Sequence, residues 1–196
     1  MSDEQPFRAI LIISSALLIP FAVYHRLKSQ STGESLDRSQ EGLFILLTLR
    51  PLGLAGIAGF LTYMLNPRWM SWSSLLLPSW LRWLGILSGL TAGALIVWTF
   101  RALGPNLTDT VVTRRIHTLV TNGPYRFVRH PFYVAVGLAV LGNGLAAANW
   151  FLFATGVTSL CLLILRTSRE EERLFQRFGD EYRLYSQRTG RFLPKW

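Results

Sequence analysis

The segment Trp80–Leu103, WLRWLGILSGLTAGALIVWTFRAL, decides the fold class of this chain. It is almost entirely apolar, and it is longer than the ~20 residues that cross about 30 Å of hydrocarbon as an α-helix. Its glycines Gly85, Gly89 and Gly93 recur every four residues and so share one helix face. Small residues on one face let another helix approach closely. We therefore predict a transmembrane helix that packs tightly against a neighbour.

Four further apolar segments indicate the same class. Half of the residues are hydrophobic and the mean hydropathy is +0.30, a composition that soluble domains rarely have. The segments are Ala9–Tyr24, Leu43–Leu65, Pro131–Ala147 and Trp150–Leu165. We predict an all-α polytopic membrane protein of about five transmembrane helices, in which the fourth and fifth form a helical hairpin. Asp3 and Glu4 are unlike the basic start of a secretory signal, so we expect a retained first helix.

The chain is predicted to form a single membrane domain over residues 1–196. Residues 1–103 would contain three spans, and residues 104–196 a polar loop, the hairpin and a C-terminal tail. The tail begins at Arg166, where the composition changes abruptly from apolar to charged. Its apolar residues fall roughly on one helical face, with Gly179 as a break, which predicts an amphipathic segment folded back against the core.

The formal charge of +9 and the pI near 10.6 raise the question of a nucleic-acid partner. The basic residues crowd the connection before Pro131 and the tail after Leu165, beside apolar segments. This pattern places such regions in the cytoplasm and attracts anionic lipid, and no nucleic-acid-binding motif accompanies it. We therefore expect membrane lipid as a partner, no nucleic acid, and a cytoplasmic site. The compartment would be the inner membrane of a prokaryote or the endoplasmic reticulum of a eukaryote.

Arg50 and Pro51 interrupt the second apolar segment. In one interpretation Arg50 extends to the membrane interface and Pro51 kinks the helix. In the other, Arg50 faces the bundle interior and lines a substrate path, because ionisable residues within spans are often functional.

The loop His117–Tyr133, HTLVTNGPYRFVRHPFY, is the strongest candidate for a ligand site. It belongs to a connection much longer than two helices need, and such loops are usually functional when they fold. Together with the start of the tail it brings many polar side chains to one membrane face, which indicates a charged ligand. The three histidines lack the spacing of a zinc site, so no metal is predicted. The single cysteine, Cys161, is expected to be a small packed hydrophobe.

Three separated motifs in this part of the chain resemble one family. They are Gly123-Pro124-Tyr125, then Arg129-His130-Pro131-Phe132-Tyr133, and about 35 residues later Glu170-Glu171 followed by Phe178-Gly179 and Glu181-Tyr182. Their order and spacing around a helical hairpin resemble the isoprenylcysteine carboxyl methyltransferase family and its phospholipid methyltransferase relatives. The resemblance implies an integral membrane enzyme that transfers a methyl group from S-adenosylmethionine to a lipidic or prenylated substrate.

The resemblance also implies roles for individual residues. The positions that match cofactor-contacting residues of the family are His117, Thr118, Leu119, Val120, Tyr125, His130, Pro131, Tyr133 and Glu170. Arg166 matches the substrate-contacting arginine, and Arg166 and Glu170 are the predicted catalytic residues. Methyl transfer from a sulfonium is an in-line displacement, and a carboxylate acceptor is already ionised at pH 7, so no general base is required.

Three other interpretations stay open at this stage. One is a phospholipid methyltransferase, whose amine acceptor would have to lose a proton. Another is an NADPH-dependent sterol or enone reductase, because that family has a similar C-terminal half. The last is a membrane protein without catalytic activity that keeps the fold.

Overall fold

The computed structural model describes residues 4–30, 45–104 and 118–195, and these residues form a bundle of α-helices. The helices in chain order are α1 Gln5–Gln30, α2 Arg50–Leu65, α3 Ser79–Leu103, α4 Pro131–Ala146, α5 Trp150–Phe178 and α6 Asp180–Arg188. A short π-helix, Ile45–Leu49, precedes α2, and 3-10 turns occur at Pro67–Ser73 and Gly123–Arg126.

The helices confirm the predicted class, a multi-pass all-α membrane protein. Within the described residues, α1, α3, α5 and the helical segment Leu47–Leu65 are long and apolar enough to cross a membrane. Helix α4, the predicted fourth span, is shorter: its 16 residues extend about 24 Å at 1.5 Å per residue. Large apolar side chains point outward from the bundle, among them Leu17, Leu54 and Leu87. This outer surface suits contact with lipid tails.

Close packing of α3 on α4 confirms the function predicted for the glycines of α3. A Cβ atom on Gly142 would lie 2.6 Å from the backbone nitrogen of Gly89, and one on Gly85 would lie 2.6 Å from that of Ala146. Gly93 faces α1, where a Cβ would meet the Leu18 side chain at 2.9 Å. The two helix backbones can approach this closely only without side chains between them.

The predicted hairpin of α4 and α5 turns at residues 147–149. The Asn149 side chain caps α5 by accepting a hydrogen bond from the Leu152 backbone nitrogen at 3.1 Å. Its amide also donates to the Ser73 hydroxyl at 2.8 Å, so the hairpin turn is attached to the α2–α3 connection. Cys161, on α5, is exposed on the outer surface, so the expectation that it packs inside the protein is wrong.

A buried polar cluster joins the start of α1 to this end of the bundle. Arg82 is 7% exposed, and its guanidinium donates to the Ala146 carbonyl at 3.0 and 2.8 Å, which satisfies a carbonyl at the end of α4. It also pairs with Glu4 at 3.0 Å, and Glu4 accepts a hydrogen bond of 2.7 Å from the Tyr63 hydroxyl. Arg8 donates to the last carbonyls of α2. These contacts join α1, α2, α3 and α4 at the end of the bundle opposite to the loop that carries His130.

Helix α5 continues well past its apolar part. The predicted boundary at Leu165 marks a change of composition, but the helix runs without interruption to Phe178. Gly179 then adopts a positive φ of 53° and ends it, as predicted. Residues 166–178 therefore form a polar extension of a transmembrane helix, and the short helix α6 follows it.

Arg50 and Pro51, which interrupt the second apolar segment, lie where a π-helix ends and α2 begins. Pro51 lies in the first turn of α2, directly after the five π-helical residues, where its missing N–H disturbs helical hydrogen bonding least. Arg50 is exposed and not buried between helices. Its position agrees with the interfacial interpretation.

Candidate active site

Glu170, on the polar extension of α5, is the centre of the site. The Tyr133 hydroxyl, from the first turn of α4, donates a hydrogen bond of 2.7 Å to Glu170 Oε1. His130, which precedes α4, places Nδ1 3.8 Å from Glu170 Oε2. Arg166, one helical turn earlier on α5, places Nε 3.4 Å from Glu170 Oε1. Three groups from two helices thus converge on one carboxylate.

Arg166 lies close to Glu170, but its Nε makes no hydrogen bond to the carboxylate. Four-residue spacing puts both side chains on one helix face. The Arg166 side chain is only 12% exposed, and its buried Nε has no hydrogen-bond partner among the described residues, because the 3.4 Å approach to Glu170 is poorly directed. A buried donor without a partner is costly. It is therefore a natural place for an acceptor group of a ligand.

The neighbouring carboxylate, Glu171, faces a second set of hydrogen-bond donors. It accepts hydrogen bonds from Arg129 Nε at 3.0 Å, His130 Nε2 at 3.1 Å and Arg191 Nε at 3.1 Å. Burial by itself raises the pKa of Glu171, but the hydrogen bonds from His130, Arg191 and Arg129 outweigh it and hold the pKa well below its usual range. Glu171 is thus an ionised anchor, and it lies beyond the apolar part of α5.

The C-terminal segment lies against the loop that carries His130. Val128 and Gly190 form a parallel β-bridge, and the backbone nitrogens of Arg129 and His130 donate to the carbonyls of Gly190 and Arg191 at 2.8 and 3.1 Å. The end of the tail therefore lies against this loop, while the predicted amphipathic segment from Arg166 to Phe178 instead continues α5. We call residues 189–192 the C-terminal strap.

Tyr125 completes the polar part of the site. It lies in the 3-10 turn Gly123–Arg126, and its carbonyl accepts a 2.7 Å hydrogen bond from the Tyr185 hydroxyl of α6. Burial raises the pKa of the Tyr125 hydroxyl, and the nearby Tyr185 and Glu170 raise it further. Tyr125 is therefore protonated at neutral pH, within electrostatic range of Glu170.

Aromatic rings form the side of the site that faces α1 and α3. Phe132 contacts both Tyr133 and Phe100, with ring centroids 6.2 and 5.9 Å apart. Phe100 in turn contacts Phe21 and His25 of α1 at 6.3 and 6.4 Å. An apolar, aromatic wall thus adjoins the charged groups around Glu170.

The family comparison matches the part of the chain that carries this site. Residues 83–176 match the isoprenylcysteine carboxyl methyltransferase (ICMT) family, so the match contains α4, His130, Tyr133, Arg166 and Glu170. Over this segment, just under half of its length, the chain is similar to the ICMT family. Its fold resembles the structure of the eukaryotic intramembrane Ras methyltransferase ICMT, with a TM-score of 0.56 and 20% identity over 89% of this chain and 63% of that one.

Curated relatives match over shorter parts of their length. The human protein-S-isoprenylcysteine O-methyltransferase is 30% identical over 63% of this chain and 44% of its own length. Methanethiol S-methyltransferase 1 of Bradyrhizobium diazoefficiens is 39% identical over 36% of this chain and 24% of its own. A cobalt-zinc-cadmium resistance protein of Cupriavidus metallidurans is 34% identical over 42% of this chain and 38% of its own. The chain thus spans less than half the length of each of these relatives.

The structure brings together five of the ten residues predicted from the ICMT motifs. Tyr125, His130, Tyr133 and Arg166 lie around the carboxylate of the fifth, Glu170. Pro131 is buried in the first turn of α4. Thr118 is exposed and Leu119 and Val120 are half-buried in the segment leading to the 3-10 turn, outside the hydrogen bonds around Glu170. His117 lies outside the described residues.

Sequence reasoning did not identify the contacts of Glu171 and Arg191. Glu171 is one of three adjacent glutamates, but nothing in the motif indicates that it accepts hydrogen bonds from Arg129, His130 and Arg191. Arg191 carries no sequence signal, because its contact with Glu171 depends on how the tail folds. In the described residues no group of three or more His, Cys, Asp or Glu side chains could hold a metal ion.

Proposed function

We propose that this chain is an integral membrane methyltransferase of the ICMT family that uses S-adenosylmethionine. The observation that carries the proposal is the convergence of Tyr133, Arg166 and His130 on Glu170 at the end of the membrane bundle. All four lie in the segment that matches the family. The methyltransferases among the relatives favour this activity over the reductase interpretation.

The side chains of the site fit the chemistry of this cofactor. S-adenosylmethionine carries an ammonium and a sulfonium, for which the Glu170 carboxylate is a suitable partner. It also carries hydroxyl groups and an adenine, which polar and aromatic side chains such as Tyr125 can bind. The residues that would hold it are the predicted set, His117, Thr118, Leu119, Val120, Tyr125, His130, Pro131, Tyr133 and Glu170.

The task of the protein in this reaction is alignment. The bound cofactor supplies an electrophilic methyl group, which an acceptor attacks in line. The buried Arg166 guanidinium can hold a carboxylate acceptor with paired hydrogen bonds. Tyr133 and His130 limit the orientations of Glu170, and the surrounding aromatic side chains keep water out. Orientation and exclusion of water can each contribute several kcal/mol to such a displacement.

We propose a lipidic acceptor whose carboxylate lies beside an apolar chain, as in an isoprenylcysteine. The aromatic wall beside Tyr133 and the position of Arg166 directly after the apolar part of α5 support this substrate class. The relatives named methanethiol S-methyltransferase support a second candidate, a thiol acceptor. A thiol, with a pKa of about 8.5, would have to lose its proton before attack. A phospholipid amine is the third.

We further propose that the site faces the cytoplasm. The tail and the connection before α4 carry most of the basic residues, which favour that side. In a prokaryote this is the inner face of the inner membrane, and in a eukaryote the cytoplasmic face of the endoplasmic reticulum.

Two measurements test the activity. Calorimetry on the purified protein in detergent should detect binding of S-adenosylhomocysteine, the demethylated cofactor, and no binding of NADPH. Transfer of labelled methyl should then be measured into a prenylcysteine analogue, a small thiol and phosphatidylethanolamine. Binding of NADPH alone would refute the methyltransferase, while label in the thiol or the amine would correct only the acceptor.

A further inference from the structure

The C-terminal strap is built into the site by its backbone. Its Gly190 and Arg191 carbonyls accept hydrogen bonds from the backbone nitrogens of Arg129 and His130 at 2.8 and 3.1 Å. In addition, Arg129 Nη1 donates to the Ser186 carbonyl at 2.7 Å. The strap therefore has a fixed register against the residues that begin α4, and this register places the Arg191 side chain beside Glu171.

Arg191 makes a two-point contact with Glu171. Its Nε donates to Glu171 Oε1 at 3.1 Å, and its Nη2 donates to Oε2. Such a forked pair fixes the plane of a carboxylate as well as its position. Arg129 Nε and His130 Nε2 contact only Oε1. Among the described residues, the second oxygen is therefore held by Arg191.

The orientation of Glu171 determines how His130 is presented. An ionised carboxylate only accepts hydrogen bonds, so the 3.1 Å contact places the hydrogen of His130 on Nε2. The other ring nitrogen, Nδ1, then faces Glu170 Oε2 at 3.8 Å, beyond hydrogen-bond distance. In a neutral ring this Nδ1 is free to accept a hydrogen bond from a ligand donor. A rotation of Glu171 would release Nε2 and remove this selection.

We propose that Arg191 is a positioning residue, which acts through Glu171 to hold the His130 ring in one tautomer and one orientation toward Glu170. The inference rests on the proposed function, because His130 is one of the proposed cofactor-binding residues. The C-terminal strap is thereby part of the cofactor site, although Arg191 touches no reacting group. Removal of Arg191 should weaken cofactor binding and leave the binding of the methyl acceptor unchanged.

If Arg191 only stabilised the fold, its loss would lower stability slightly and leave cofactor affinity unchanged. Its side chain is 39% exposed, and exposed ion pairs contribute little to stability. Loss of such a pair would move the melting temperature of a protein of this length by less than about 4 °C. Loss of Arg191 should therefore leave the protein folded, so that an effect on cofactor binding can be measured.

The test compares Arg191→Ala and Arg191→Lys with Lys195→Ala in the full chain. Lys195 is the matched control, because it follows the strap and donates to the carbonyl of Gln187 at 3.1 Å. The probes are the dissociation constant of S-adenosylhomocysteine, the KM of a methyl acceptor at saturating cofactor, and nitrogen-15 NMR of labelled histidine. The sequence has three histidines, so single substitutions of His25 and His117 assign the His130 signals.

For Arg191→Ala we expect the His130 signals to change from one tautomer to an average of two. The dissociation constant should rise about tenfold or more, as misplaced binding groups produce, with an unchanged KM. Arg191→Lys should recover part of the affinity, and Lys195→Ala should behave as the parent. An unchanged His130 spectrum, or unchanged affinity with a changed spectrum, would overturn the proposal. If the parent protein transfers no methyl, the proposed function fails separately, and the spectrum and the affinity still decide the role of Arg191.

Discussion

Tyr133 and Glu170, on α4 and α5, are joined by a hydrogen bond of 2.7 Å from the tyrosine hydroxyl to the carboxylate. This contact connects the two helices of the hairpin at its open end, opposite to the turn at Asn149. It also leaves the other oxygen of Glu170 facing His130. The Tyr133 hydroxyl therefore helps to set the orientation of the carboxylate at the centre of the site.

Tyr133→Phe tests this dependence, because it removes the hydroxyl and keeps the ring. A hydrogen bond to a charged group contributes about 1.5–3 kcal/mol, so cofactor affinity should fall about tenfold or more. Titration of S-adenosylhomocysteine by calorimetry measures the change. Tyr24→Phe, at an exposed tyrosine of α1, is the control and should bind as the parent does. Equal affinities for all three proteins would mean that Tyr133 does not orient Glu170.

Arg166 and Glu170 should separate in their effects. If Arg166 holds the acceptor and Glu170 the cofactor, Arg166→Ala should reduce turnover by about tenfold or more and preserve cofactor affinity. Glu170→Ala should weaken cofactor binding itself. Arg166→Lys should restore turnover only in part, because lysine keeps the charge and loses the planar fork.

The alternative for this pair is an ion pair that only tethers the polar extension of α5. Under that interpretation both alanine variants would lose cofactor affinity and melting temperature in parallel. Measurement of the dissociation constant, turnover and melting temperature for all three variants distinguishes the two. Parallel losses would show that the assigned division of roles is wrong.

Gly142→Ala should destabilise the bundle where α3 and α4 are closest. Its new methyl group would lie 2.6 Å from the backbone nitrogen of Gly89, which cannot move as a side chain can. Overpacking of this kind costs about 1–3 kcal/mol. Gly89→Ala is the matched control, because nothing lies within 4 Å of its added Cβ. Unfolding in detergent should show a loss for the first variant and little change for the second.

Arg82→Ala should lower stability without changing cofactor affinity. The substitution leaves the Ala146 carbonyl and Glu4 without their guanidinium partner. Glu4 is partly exposed, so the main cost is the unsatisfied buried carbonyl, about 1–3 kcal/mol. The cluster lies at the opposite end of the bundle from Glu170, so the dissociation constant of the cofactor should stay within about twofold, or 0.4 kcal/mol. Arg68→Ala, at an exposed arginine of the same end, is the comparison. A loss of affinity equal to the loss of stability would contradict this separation.

Reporter fusions test the predicted orientation. Fusions after Lys28 and at the C-terminus should report the cytoplasm, and a fusion at Ser73 the opposite side, because basic residues concentrate near the first two positions. The alternation of α1, α2 and α3 requires Ser73 to differ from Lys28. A cytoplasmic signal at Ser73 would contradict the arrangement of spans.

The transmembrane helices could be predicted from sequence because hydrocarbon selects for long apolar segments, which composition alone reveals. Helix α5 could not be followed to its end in this way. Its apolar part and its polar extension contact different solvents, so their compositions differ, while the backbone hydrogen bonding continues through Arg166. A change of solvent along one helix has the same appearance in sequence as the end of a helix.

The site could be predicted where it depends on motifs and not where it depends on tertiary contacts. His130, Tyr133 and Glu170 were identified by family resemblance, and the structure places them together. The pairing of Arg191 with Glu171 joins residues 20 apart across a helix end. Likewise, the pairing of Arg82 with Glu4 joins residues 78 apart. Charged residues at helix ends are common in membrane proteins, so their sequence positions do not reveal their partners.

The continuity of α5 fixes the distance of the site from the apolar part of the helix. Arg166 follows the last apolar residue directly, and Glu170 lies about 6 Å further along a helix that rises 1.5 Å per residue. The helix therefore sets how far each of these side chains lies from the apolar segment. An amphiphile whose reactive group is attached close to its tail could reach Arg166 while the tail stays in the bilayer. A molecule with a long polar linker would carry its reactive group beyond this level, so depth alone could select among acceptors before any side chain recognises them.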